Sequence, residues 1–205
     1  GKVGLYCHGN QSSYWDNFEV SCLGYPFDLN VFLQGPYTGP GMDPNLQLIP
    51  DFPLIQPFGM APWNYSGTEA VASVPSPDVV DWILLELRDA PTPSQAVPAI
   101  TIHRKALFVL SDGSVTGMEG NAMPVISFDY TNNLYAVIWH RNHLPVMSAN
   151  SIVENAGVFS YDFTIGSGQI YGGALGASEL EPGVWGLTGG DGNADDVVSN
   201  PDKID

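Results

Sequence analysis

The sequence predicts an all-β protein that folds as an antiparallel β-sandwich with long proline-rich loops. With 23 Gly and 17 Pro among 205 residues, few uninterrupted stretches are long enough for a helix of three turns. What remains is a series of short runs in which apolar residues recur at every second position. Turn-forming residues separate these runs, as at positions 111–113 and 131–133. This combination is typical of short strands joined by turns.

The predicted strands follow one another along the chain. The alternation is clearest in the runs that contain Leu29, Ile83 and Tyr135. Strands are predicted at residues 29–34, 82–88, 106–110, 125–128, 134–140, 158–165 and 183–187. Because side chains alternate between the two faces of a strand, two such sheets can each contribute one face to a common core. A jelly-roll and an immunoglobulin-like arrangement both satisfy this pattern.

The segment 35–67 interrupts the series of strands. It contains seven prolines, with Met42, Phe52, Phe58 and Trp63 between them. Proline at this density removes ladder hydrogen bonds and cannot continue a helix, so we expect a long excursion that packs by its apolar side chains. A second proline-rich stretch, 90–98, is predicted to be a loop between strands.

The net charge of the chain makes nucleic acid and anionic membranes unfavourable partners. The chain carries 22 Asp and Glu against six Lys and Arg, a formal net charge of −16. This charge repels nucleic acid and anionic lipid, and no apolar run reaches the roughly 20 residues that membrane insertion requires. We interpret residues 1–190 as one β-sandwich domain and residues 191–205 as an acidic tail.

The two cysteines lie in the N-terminal segment 1–26. Cys7 and Cys22 bracket a stretch rich in Gly, Asn, Ser and Tyr that has few core residues. A disulfide between them would stabilise this segment by about 3 kcal/mol in the chain-entropy model, and it requires an oxidising compartment. We therefore expect an extracellular or cell-surface protein. Two unrelated buried thiols are the alternative.

Residues 191–202 carry oxygen-bearing side chains at places one, three, five, nine and twelve of a twelve-residue loop. This is the spacing of a calcium-binding loop, in which the carbonyl at place seven is also a ligand. The predicted ligands of Ca²⁺ are Asp191, Asn193, Asp195, the carbonyl of Val197, Ser199 (directly or through water) and Asp202. The place that usually holds Gly is Asp196. The alternative is a solvated acidic tail.

A cluster of polar residues at 140–143 is the strongest catalytic candidate in the chain. Histidine ordinarily titrates near neutrality, and the His-x-x-His spacing of His140 and His143 can hold a metal ion if a turn begins at Asn142. In a continuous strand the two imidazoles would point to opposite faces, so we favour a structural role in which these side chains and Arg141 pair with carboxylates. Asp81 and Glu86 are expected on opposite faces of one strand, which argues against an acid–base pair. We expect no enzyme.

Aromatic residues in predicted loops supply a second kind of candidate site. Trp15, Tyr37, Trp63 and Tyr65 have rings that can stack on sugars or pack against a neighbouring subunit. Packing beneath the long loops is the simpler alternative.

Several segments, taken in order, resemble a known module. They are Phe32–Tyr37, Val80–Arg88, Trp139–Ser148, Tyr161–Thr164 and the acidic loop. Residues 27 to 202 are similar to a β-rich, hemagglutinin-like module near the C-termini of large secreted bacterial surface proteins, whose end resembles one dockerin-type calcium repeat. The resemblance implies a core strand at Val80–Arg88, a strand and turn at Trp139–Ser148 and a metal site at the end.

These interpretations together predict a non-enzymatic extracellular structural protein, stabilised by Ca²⁺. We expect it to assemble with copies of itself into a surface layer or filament, because counter-ions would quench the repulsion between its negative charges. The alternative function is a carbohydrate-binding or adhesion module of a secreted surface protein, with glycans as partners.

Overall fold

A computed structural model describes residues 24–192, 195, 197–199 and 202. Within this part of the chain the elements are strands and five short 3-10 helices. The strands are β1 (Tyr25–Asn30), β2 (Val79–Ala90), β3 (Thr101–Leu110), β4 (Val115–Thr116), β5 (Val125–Ile126), β6 (Asn133–His140), β7 (His143–Met147), β8 (Val153–Asn155), β9 (Val158–Asp162), β10 (Ser178–Glu181) and β11 (Val184–Gly186). The 3-10 helices are Asn45–Leu48, Pro93–Gln95, Pro98–Ile100, Ser167–Gln169 and Gly173–Leu175.

Two main sheets form a sandwich, which confirms the predicted all-β class. The larger sheet has the order β4-β3-β2-β6-β7 and is antiparallel throughout. The smaller sheet has the order β5-β1-β9-β8, and a separate hairpin pairs β10 with β11. One pair departs from the prediction, because β1 and β9 run parallel. Parallel pairing needs a long crossover, and the larger sheet supplies it, since its five strands lie between β1 and β9 in the chain.

The main core lies between the two sheets. Strand β2 contributes Ile83, Leu85 and Leu87 at every second position, and each is buried. Phe27 of β1 and Phe159 of β9 face them from the smaller sheet and stack with ring centroids 5.2 Å apart. The period-two pattern of β2 therefore places one apolar face in the sandwich core, as the sequence predicts.

The outer face of the larger sheet is covered by chain rather than by solvent. The excursion after β1 returns across it, and Phe52 and Phe58 pack with Trp82 and Phe108 in a second core. The excursion is ordered by its apolar side chains as predicted, although Met60 is 78% exposed. The loop 91–100 covers the other end of the same face, where Ala96 packs on β2 and β6.

The first predicted strand is displaced in the structure. Strand β1 covers Tyr25–Asn30, whereas the alternation predicted residues 29–34. Val31 and Leu33 are buried as the pattern requires, but their backbones leave the ladder. The Val31 N–H donates to the carbonyl of Gly113, and the Leu33 N–H donates to Sδ of Met42. The apolar residues in this segment reflect burial of the side chains, and the prediction that the strand continues to residue 34 was therefore wrong.

Candidate functional site

Three carboxylates of the C-terminal loop converge. One oxygen from each of Asp191, Asp195 and Asp202 lies within 4.8 Å of the other two. Two oxygens that bind one Ca²⁺ at about 2.3–2.6 Å lie at most about 5 Å apart, so these carboxylates fit a shared cation. They are places one, five and twelve of the predicted loop. The structure therefore brings together three Asp that could hold a metal ion.

Backbone hydrogen bonds within the loop orient these carboxylates. The Asp195 N–H donates to Oδ1 of Asp191 at 3.1 Å, and the Val197 N–H donates to Oδ1 of Asp195 at 3.0 Å. The Ser199 N–H donates to Oδ2 of Asp202. In each contact a carboxylate oxygen accepts from a backbone N–H of the same loop. The remaining predicted ligand, Asn193, lies outside the described residues.

The beginning of the loop is anchored to the sandwich. Gly189 forms an antiparallel bridge with His143, and its N–H donates to Oε1 of Gln34 at 2.9 Å. The Gly190 N–H donates to the carbonyl of Asn142 at 3.0 Å. Asp191 follows directly and is 2% exposed. The first carboxylate is therefore held against the β6–β7 hairpin.

The same hairpin brings the two histidines together. Strand β6 ends at His140 and β7 begins at His143, which pairs opposite it, so the turn lies at Arg141 and Asn142. The Nδ1 atoms of His140 and His143 are 2.9 Å apart, and the rings are nearly perpendicular. Both side chains are buried. The turn required for two adjacent imidazoles is present.

A continuous chain of hydrogen bonds passes through these rings. Nε2 of His143 accepts from the Gly35 N–H at 3.1 Å, so its proton lies on Nδ1, which faces His140. Nε2 of His140 is 3.1 Å from Oδ2 of Asp81, and Nη2 of Arg141 donates to both oxygens of that carboxylate at 2.7 and 2.8 Å. These contacts satisfy both rings internally and support the predicted structural role.

Burial by itself shifts the pKa values of His143 and Asp81 in opposite directions. Burial, reinforced by His140 and opposed by Asp81, lowers the pKa of His143 to about 3. Burial raises the pKa of Asp81, but hydrogen bonds and charges from His140 and Arg141 outweigh it, so that this pKa lies below its usual value. At neutral pH the cluster thus contains a neutral His143 and an ionised Asp81.

A cavity of about 330 Å³ opens beside the histidines. Asp81, His140 and His143 line it together with Asp43 and Asn45 of the excursion. None of its described lining residues is Ser, Thr or Cys. The cavity contains proton-carrying groups but lacks a hydroxyl or thiol nucleophile within the described residues.

Three of the four predicted aromatic residues lie within the described part of the chain, and one lies outside it. Tyr37 packs on Phe32, and Trp63 packs edge-on against Phe58, with ring centroids 5.1 and 5.2 Å apart. Tyr65 donates its hydroxyl to Oε1 of Glu69 at 2.6 Å. All three predicted rings are half-buried. Trp15 and the predicted disulfide cysteines, Cys7 and Cys22, lie outside the described residues.

Sequence reasoning missed two participants. Asp81 supplies the carboxylate for His140, a pairing that the sequence analysis did not anticipate. A signal was present, since Asp81 lies within the apolar run of β2 and a buried carboxylate requires a partner. Trp139 was assigned only to a strand, yet it lines a cleft with Trp63. Nothing in the local pattern indicates that neighbour.

Comparisons of the chain with models of protein families, with curated proteins and with solved structures gave no match. Among the helices of the described residues, none has the length and apolar character needed to cross a membrane.

Proposed function

We propose that this chain is a non-enzymatic extracellular β-sandwich that Ca²⁺ stabilises and that assembles with copies of itself. The convergence of Asp191, Asp195 and Asp202 carries the proposal. Carboxylate oxygens are hard ligands, and the loop adds Asn193, the Val197 carbonyl and Ser199 to reach the six to eight oxygens that Ca²⁺ takes. Each of these residues stands at the place that the calcium loop assigns to a ligand.

The anchoring of the loop supports a stabilising role for the ion. Asp191 is buried against the β6–β7 hairpin, so a cation bound there links the C-terminal loop to the larger sheet. Binding only to the folded state raises stability in proportion to the logarithm of the Ca²⁺ concentration. The bound ion also offsets part of the net charge of −16.

The histidine cluster supports a non-enzymatic role. Its ring nitrogens are occupied by Gly35, Asp81 and each other, and the adjoining cavity has no described hydroxyl or thiol nucleophile. The predicted Cys7–Cys22 disulfide and the resemblance to secreted bacterial surface modules support an extracellular location.

Exposed apolar side chains support self-assembly. Leu48, Ile55 and Met60 in the excursion are 74%, 66% and 78% exposed. Apolar surface of this kind is typical of contact regions between subunits. We propose that these side chains are buried between copies of the chain once cations reduce the repulsion between them.

Calcium titration tests the first half of the proposal. We expect isothermal titration calorimetry to detect binding at millimolar Ca²⁺ or below, and the melting temperature to rise with Ca²⁺ concentration. Asp195→Asn removes one ligand charge and should weaken both effects. Asp129→Asn is the matched control, because Asp129 is exposed and distant from the loop in sequence, yet the same charge is lost. No binding heat and an unchanged melting temperature would contradict the calcium assignment.

Light scattering tests the second half. We expect concentration-dependent assembly in Ca²⁺ that reverses on addition of a chelator. Leu48→Ser combined with Met60→Ser should reduce assembly without changing Ca²⁺ affinity. A protein that binds Ca²⁺ but remains monomeric at high concentration would refute self-assembly and leave the metal site standing.

A further inference from the structure

A narrow cleft lies on the outer face of the larger sheet, between the two segments that cover this face. Its volume is about 180 Å³, and it is lined by Pro62, Trp63, Glu86, Pro98, Arg104 and Trp139. A second cleft of about 330 Å³ shares Pro98 and Trp139 with it, so the two adjoin there. The smaller cleft has room for roughly six waters, which suits one ring of a ligand.

The register of three strands builds the floor of the cleft. Glu86 of β2 lies opposite Arg104 of β3 and opposite Val137 of β6, while Trp139 lies opposite Leu84. These positions belong to the face of β2 that points away from the sandwich core. The excursion contributes Trp63 from above, and Nη1 of Arg104 donates to the carbonyl of Trp63 at 2.9 Å.

The floor carries an excess of positive charge. Glu86 is fully buried, and its Oε1 accepts from Nε of Arg88 at 2.7 Å while its Oε2 accepts from Nε of Arg104 at 2.6 Å. Two guanidinium groups thus meet one carboxylate. Both carboxylate oxygens are already used, so the cluster presents positive charge and hydrogen-bond donors to the cleft.

Several hydrogen-bond donors near the cleft have no acceptor within the described part of the chain. Nη2 of Arg104 has no acceptor among the described residues, and this side chain is 31% exposed. The indole N–H groups of Trp63 and Trp139 are enclosed and also lack a partner within the described part of the chain. A buried donor without an acceptor costs roughly 1–3 kcal/mol, which an oxygen of a bound ligand would offset.

We propose that this cleft binds an acidic sugar, a pyranose that carries a carboxylate, at the end of or within a glycan. The tryptophan rings offer flat apolar surface to the C–H face of the sugar ring. The guanidinium of Arg104 suits the planar carboxylate, and the indole N–H groups suit ring or hydroxyl oxygens. The net charge of the whole chain opposes an anion, but charges beyond about 10 Å are largely screened at physiological salt, whereas Arg104 is in contact.

This site is independent of the calcium loop, and its test is made without calcium. Isothermal titration calorimetry in buffer containing EDTA would compare a trimer of galacturonic acid with a neutral galactose trimer of the same linkage. We expect the acidic trimer to bind at least about tenfold more tightly, and its affinity to fall as salt rises.

Substitutions assign the binding to the cleft. Trp63→Phe keeps an aromatic ring, although a smaller one, and removes the N–H; Arg104→Lys keeps the charge and removes the planar fork. Each should weaken binding of the acidic trimer about tenfold. Trp185→Phe is the matched control, because Trp185 belongs to the main core and does not line the cleft. It should leave the affinity unchanged.

A measurement on the unsubstituted protein covers the case in which a variant fails to fold. The indole N–H resonances of Trp63 and Trp139 should shift in ¹H–¹⁵N spectra on addition of the acidic trimer, while that of Trp185 should not. Absence of binding by folded protein, equal affinity for the neutral trimer, or shifts confined to other residues would overturn the proposal.

Discussion

Two buried carboxylates on β2, Asp81 and Glu86, serve two different regions of the molecule. Asp81 belongs to the cluster at the β6–β7 turn, where its partners are the imidazole of His140 and the half-buried Arg141. Glu86 belongs to the outer face, where both partners are guanidinium groups. The first region pairs its carboxylate with an imidazole and one guanidinium group, whereas the second pairs it with two guanidinium groups. Burial of a carboxylate therefore does not define its role; the chemistry of its partners does.

The largest expected effect tests the outer face. Glu86→Gln removes the carboxylate between two guanidinium groups, and Arg88 is too buried to regain water, since its side chain is 8% exposed. We expect the free energy of unfolding to fall by about 3–5 kcal/mol, measured by urea denaturation at pH 7.

A compensated variant separates stability from binding in this region. The combination Glu86→Leu, Arg88→Met and Arg104→Met replaces all three charges by apolar side chains. We expect it to recover most of the lost stability while the acidic sugar no longer binds. A triple variant as unstable as Glu86→Gln would show that the charges themselves stabilise the fold.

The same substitution in the other region should cost less. Asp81→Asn leaves an oxygen that can accept from His140, and Arg141, which is 33% exposed, can reach water. We expect a loss of about 2 kcal/mol in the same denaturation experiment. If Asp81→Asn proved more destabilising than Glu86→Gln, exposure of the arginine would not be the deciding factor, and the contrast between the regions would fail.

The smallest effect concerns pH. His143 has an ordinary pKa of 6.5 when unfolded and about 3 when folded, so between these values the unfolded chain binds a proton that the folded protein does not. Stability is therefore lost as pH falls below 6.5. One such proton gives a slope of up to about 1.4 kcal/mol per pH unit, or about 1.5 kcal/mol between pH 6.5 and 5.

A variant isolates this contribution. His143→Gln retains an acceptor for the Gly35 N–H and cannot be protonated, so its stability should change less over the same range. The folded pKa of His103 is also lowered, by burial and by Lys105, and it adds to the slope in both proteins. If both proteins showed the same pH dependence, a group other than His143 would have to take up the proton on unfolding.

Much of the fold was predictable, because a strand with one buried face has apolar residues at every second position of its own sequence. The runs around Ile83, Leu107 and Val137 are strands in the structure, and the proline-rich excursion packs by Phe52 and Phe58 as expected. The parallel pairing of β1 with β9 was not predictable from such runs. Pairing direction depends on where distant strands meet, and no local pattern records this.

The candidate metal site was predictable for a different reason. Its ligands lie within twelve consecutive residues, so sequence spacing alone places Asp191, Asp195 and Asp202 in one loop. The pairing of Arg88 and Arg104 with one carboxylate was less predictable, because Glu86 between them is fully buried. The sequence shows that these charged residues are present, but whether they are buried depends on which segment of the chain packs over them.

The amino-acid sequence by itself determined the strand content, the apolar face of β2 and the spacing of the loop carboxylates. These features depend on residues close together in the chain, whose geometry follows from backbone periodicity. Tertiary structure alone decided that Asp81 meets His140, that Glu86 meets Arg104, and that Trp63 and Trp139 line the same cleft. Such contacts join residues from separate segments, and strand register and the path of the excursion select them through the packing of the whole molecule.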